Sequence, residues 1–171
     1  MSSVEFHKFR ENIKNINDYT DQKEKIFDNF IDQGLPNKRN ESWKYFDLVS
    51  KSKKYIKNDI SNSEIIVEDL EEKNIFYDYA DNNLSIEDYF KPCNFFKSES
   101  VVDLNVACGN QIKILDIKHT QNEPITIKID HNGKNISLPR LIINIADNVK
   151  AKINYVNSSA NGFLNLLVEY N

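Results

Sequence analysis

The chain has 171 residues, with 22 Lys+Arg against 26 Asp+Glu and a net charge of -4. That length makes one domain or two small ones, at about 100–200 residues per domain. The acidic balance excludes a whole-chain basic footprint for phosphate backbones, and 4 Gly, 4 Pro and 2 Cys exclude a collagen-like chain, a low-complexity tail and a disulfide scaffold.

No apolar run follows Met1, so the N-terminus carries no secretory signal. The most apolar stretch, Leu138 to Ala146, is broken by Pro139, Arg140 and Asn144. It is far short of the ~20 apolar residues that span a bilayer. The expectation is a soluble cytoplasmic protein without membrane or nucleic-acid partners. Cys93 and Cys108 are then reduced thiols, at a spacing that matches no metal or redox pattern. Asn, Ile and Lys are abundant, which reads as coding bias, and the four Asn-x-Ser sequons carry no meaning without a secretory context.

In chain order, Phe6, Phe9, Ile13 and Ile16 recur at helical spacing and predict a helix over Val4–Ile16. A second helix starts near Thr20–Asp21, where Asp21 and Glu24 stand in capping-box positions. Its stripe is Ile26, Phe27, Phe30 and Ile31; Gly34 and Pro36 stop it. The two helices are expected to pair as a hairpin. From Glu41 a short helix turns Trp43, Phe46 and Leu48 inward. Arg39, Glu41 and Lys44 read either as an anion or partner site or as solvated charges around a Trp43 anchor. The second reading is preferred, because exposed charge pairs contribute little.

Lys51 to Lys57 is a short basic run, read as a solvated face. Ile65-Ile66-Val67 and Ile75-Phe76-Tyr77 read as short strands, and Asp81-Asn82-Asn83 as a turn before the apolar positions of Leu84–Phe90. From Val101 the texture becomes regular. Apolar runs start near Val101, Gln111, Pro124, Ile136, Lys150 and Phe163, 10 to 14 residues apart. Turn residues separate them, among them Gly109-Asn110, Asn132-Gly133 and Asp147-Asn148. Ile125, Ile127 and Ile129 share one strand face, as do Ala151, Ile153 and Tyr155, and Leu164, Leu166, Val168 and Tyr170. Antiparallel sandwich and β-solenoid, the latter with a period of about 25 residues, fit equally well.

The chain holds no phosphate-binding glycine loop, no nucleophile elbow and no paired His or Cys motif. His7, His119 and His131 stand alone. No residue is assigned as catalytic, cofactor-binding or metal-ligating, and the expectation is a protein without enzymatic activity.

Gly34-Leu35-Pro36, Arg39 and Glu41-Ser42-Trp43-Lys44-Tyr45 resemble the signature near the N-terminus of the SufD branch of the SufB/SufD family, the scaffolds of SUF iron–sulfur cluster assembly. Phe46 stands where a Thr often follows the Tyr. Leu104-Asn105-Val106-Ala107, Pro124-Ile125 and Pro139-Arg140-Leu141-Ile142 resemble further segments of that family. The resemblance implies an α+β chain: an N-terminal helical region with a short-strand transition over 1–98, then over 99–171 the first turns of a right-handed parallel β-helix, cut short. It implies a non-catalytic scaffold that works with SufB-like and SufC-like subunits. An iron–sulfur cluster, and flavin, enter only in the full complex. The alternatives are a carbohydrate-active β-solenoid or sandwich and a plain interaction module.

Pro139 removes a ladder donor and is expected at a corner or edge; Arg140 beside it is expected to reach a carboxylate on the neighbouring strand. A strand pattern running to Tyr170 with no cap predicts self-association through an open β-edge.

Overall fold

Helix α1 spans Asp21–Gln33. Asp21 and Glu24 lie in its first turn, where carboxylates offset the unpaired N–H groups. Phe27 and Phe30 are buried, their ring centroids 5.9 Å apart. Gly34 ends the helix in the left-handed region, φ 68°, with its N–H on the Phe30 carbonyl at 2.7 Å. The computed structural model describes residues 10, 21–39, 45, 47–55, 58–79, 99–109, 111–158 and 161–171. The expected helix over Val4–Ile16 lies outside these apart from Arg10, as do Glu41, Trp43, Lys44, Phe46, Leu84–Phe90 and Cys93.

Helix α2 spans Leu48–Ser52; the short helix expected from Glu41 falls mostly on residues outside the described ones. Asp47 caps it. Its carboxylate accepts the Ser50 backbone N–H at 3.0 Å and the Ser50 hydroxyl at 2.7 Å. These bonds, the backbone one first, hold the Asp47 carboxyl below its ordinary value. Strands β1 (Glu64–Glu68) and β2 (Ile75–Asp78) fall where the β-branched and aromatic runs predict them.

The next element is a correction. Val101 was expected to open a strand, but Ser100–Cys108 is helix α3. Leu104, Ala107 and Cys108 are buried, as are Asp103 and Asn105. A run apolar on most sides fits a buried helix or a buried strand equally, and packing against α1 decides for the helix.

Seven strands follow: β3 (Gln111–Ile117), β4 (Ile125–Asp130), β5 (Asn132–Ser137), β6 (Pro139–Ile145), β7 (Ile153–Asn157), β8 (Asn161–Leu164) and β9 (Leu167–Tyr170). They join β1 and β2 in three sheets, ordered β1-β4-β7, β2-β3-β6-β9 and β5-β8. β1 and β2 pair antiparallel with β4 and β3. The other pairs are parallel: Gln111 lies opposite Pro139 and Ile125 opposite Ile153, each pair 28 residues apart.

The expected right-handed parallel β-helix is therefore corrected. The described residues form a mixed α/β arrangement of several small sheets with few helices, and no closed or solenoid sheet. Two of the sheets are headed by antiparallel strands from the segment assigned to a transition region. Asn132-Gly133, expected as a turn, lies inside β5, which has a register shift against β8. Period-2 alternation sets which residues share a strand face; it holds no information on which strand becomes the neighbour.

The main core is aliphatic: Ile65, Leu115, Ile117, Ile125, Ile127, Ile129, Leu141 and Ile143. Each such side chain contributes about 1.5–3 kcal/mol on burial. A second cluster joins Phe27, Phe30 and Leu35 to Leu104, Ala107, Cys108, Ile136 and Leu138, and so seats the helices on the strands. Among the described residues no helix is long and apolar enough to cross a membrane.

Candidate functional site

Asn105 sits on α3, fully buried beneath the start of β6. Its side-chain amide donates to the Pro139 carbonyl at 3.0 Å and to the Asn165 carbonyl at 2.6 Å. Asn165 returns the contact to α3: its side-chain amide donates to the Val101 carbonyl at 2.7 Å. Two asparagines thus cross-tie the helix, the head of β6 and the link between β8 and β9. Gly109, at the end of α3, is required there, since a Cβ would stand 2.5 Å from the Asn105 carbonyl oxygen and 2.7 Å from that of Leu138.

Pro139 is the first residue of β6, where a missing N–H costs the ladder least. Arg140 next to it meets Glu169 on β9 through Nε and through Nη2, the latter at 2.9 Å. The pair is bidentate and nearly dry, with side-chain exposures of 4% and 17%. The expected carboxylate partner on the neighbouring strand is therefore Glu169.

The structure brings together Leu35, Leu104, Asn105, Ala107, Pro139 and Arg140, by way of the second core cluster and the asparagine ties. Gly34 and buried Pro36 deliver Leu35 into it. It leaves Arg39 and Tyr45 exposed. Glu41, Trp43 and Lys44 lie outside the described residues. Pro124 is remote, beside Asp69, Leu70, Glu71 and Glu123 at an open hollow of about 540 Å³.

Other buried and half-buried amides were missed. Gln111 exchanges bonds with the Ser63 backbone, donating at 2.6 Å and accepting at 3.0 Å. Asn74 accepts from the N–H groups of Lys118 and His119, and Gln121 donates to the Asp69 carbonyl at 2.8 Å. For Asn74 the signal in the sequence is the surplus of Asn; nothing there marks Gln111 or Gln121. Cys108 is fully buried, and burial pushes its thiol up, partly opposed by the Lys23 charge; a thiol held protonated is a poor nucleophile. Among the described residues no group of three or more His, Cys, Asp or Glu is placed to hold a metal ion.

A second polar contact closes the far end of the sheets. The hydroxyls of Tyr155 on β7 and Tyr170 on β9 meet at 2.6 Å. Burial first, then the hydrogen bond to Tyr170 and its charge, push the Tyr155 phenol above its ordinary value of 10.0. The neutral form is favoured in the fold. Its contribution is complete below the unfolded pKa of about 10 and is lost as pH rises through the raised folded value. Phenolate absorbance on raising pH is expected to show one late-titrating tyrosine that Tyr155→Phe removes; an unchanged titration curve in that variant would refute the assignment.

No protein-family model, no curated protein and no solved structure matches this chain.

Proposed function

We propose that this chain is a non-catalytic scaffold subunit of the SUF type, working in the cytoplasm with SufB-like and SufC-like partners in iron–sulfur cluster assembly. The observation that supports this reading is the joint. Segments resembling the family at 34–36, 104–107 and 139–140, far apart in sequence, meet around Asn105 and Leu104. A scaffold acts by holding a fixed shape, and residues that tie helices to sheets are the ones it must keep. Among the described residues the core between the sheets is aliphatic. The iron–sulfur cluster, and flavin, belong to the assembled complex.

The test is co-purification. Tagged chain co-expressed with a SufB-like and a SufC-like subunit is expected to retain at least one of them through a high-salt wash. Failure to retain either would remove the functional content of the resemblance.

A further inference from the structure

The sheet β1-β4-β7 turns one face to the aliphatic core and the other to solvent. On the solvent face the strand register sets rows that run across the strands. Glu64 stands opposite Asp130 in the first. Ile66, Lys128 and Val156 make the second. Glu68, Thr126 and Asn154 make the third. Beyond it Asp69, Glu71 and Glu123 rim the open hollow of about 540 Å³ that Thr126 and Asn154 also line.

Charge selects what this face can take. Its six carboxylates face Lys128 and Lys152, the latter outward by alternation with Asn154 and Val156. The face therefore holds a net -4, the whole net charge of the chain, and the other residues balance at 20 against 20. Lys128 is already engaged by Glu68 at 2.6 Å. Glu64 and Asp130 are like charges directly opposite each other, an arrangement that destabilises a strand pair and that a bound cation relieves. Such a face repels anionic partners and steers cationic ones. The second row adds shape. Ile66 and Val156 are 39% and 43% exposed. They lie two strand spacings apart, about 10 Å. Seven residues of α-helix rise about 10.5 Å, so one apolar stripe with anchors at i and i+7 meets both. The acidic rows run about 7 Å to either side, within reach of cations that flank such a stripe.

We propose that the solvent face of β1-β4-β7 docks a basic amphipathic helix of a partner protein, laid across the strands with its apolar stripe on Ile66 and Val156. Lysines or arginines on one flank of the helix meet Glu64 and Asp130. Those on the other flank meet the carboxylates around the hollow. The proposal is independent of the scaffold reading.

The probe is a fluorescent synthetic peptide of about four helical turns, with leucines in one stripe and lysines on both flanks. Anisotropy with the full chain is expected to show saturable binding that weakens with salt. Glu64→Gln/Glu123→Gln, which removes one exposed carboxylate from each side of the apolar row, is expected to weaken it about tenfold. Asp21→Asn/Asp32→Asn removes the same charge from exposed positions on α1 and is expected to leave the affinity unchanged. In the wild type the methyl resonances of Ile66 and Val156 are expected to shift on adding peptide while those of Ile75, equally exposed on β2, stay in place, which decides the matter even if a variant fails to fold. No saturable binding, equal binding by a scrambled peptide of the same composition, an equal loss in the α1 variant, or a shift at Ile75 instead of Ile66 and Val156 would each overturn the proposal.

Discussion

Arg140→Met is expected to lower folding stability by about 3–5 kcal/mol. The reason is what it leaves behind. Glu169 is only 17% exposed, and its carboxylate is held by two guanidinium contacts. Without the arginine a charge stays buried with its main partner gone, whereas an exposed pair would lose no more than about 1 kcal/mol. The Arg140→Met/Glu169→Leu double variant is expected to recover most of the loss, because two apolar side chains of similar size carry no desolvation penalty. Urea unfolding measures all three, as a shift in midpoint at constant slope. A single-variant cost below about 1 kcal/mol, or a double variant worse than the single, would show that the pair behaves as a surface contact.

Asn105→Ala is expected to cost about 2–6 kcal/mol, from two carbonyls, one buried and one part-buried, at about 1–3 kcal/mol each. Pro139 and Asn165 would lose their donor together. Asn105→Asp discriminates hydrogen bonding from packing. It keeps the size but offers only acceptors, and would aim a carboxylate at two carbonyl oxygens. It is expected to be at least as damaging as alanine. Amide exchange in α3 is the direct readout, since the helix is tied to the sheets through this residue. If Asn105→Asp folds with wild-type stability, the two bonds are not what holds the joint. Asn105 and Arg140 act on adjacent residues of one strand head, so their combined variant is expected to cost less than the separate losses added.

Much of the local structure was legible. α1 begins with carboxylates, buries one phenylalanine stripe and stops at a left-handed Gly34 before Pro36, all signals within a few residues of one another. The alternation of Ile125, Ile127 and Ile129 placed those three in the core, and all three are buried. Arg140 was expected to find a carboxylate; parallel pairing of β6 with β9 made it Glu169. α3 was misread because Val101–Cys108 has apolar residues on most sides, so its period carries no decision, and contact with α1 supplies one. The arrangement of the sheets was also misread. The partner of Gln111 is Pro139 and the partner of Ile65 is Ile129, and nothing within either strand reports the other.

The asparagines mark the boundary between the two kinds of knowledge. From composition they read as coding bias and turn residues, and Asn148, with φ 63°, is such a turn. Asn74, Asn105 and Asn165 instead donate to or accept from backbone groups brought close by distant strands. The sequence by itself determined the helix α1 and the strand faces, because these depend on neighbours along the chain. Only the tertiary structure decided the sheet order, the helical state of α3 and the asparagine ties. An amide bonds to whatever carbonyl lies within about 3 Å, and that carbonyl is chosen by the packing of the whole chain.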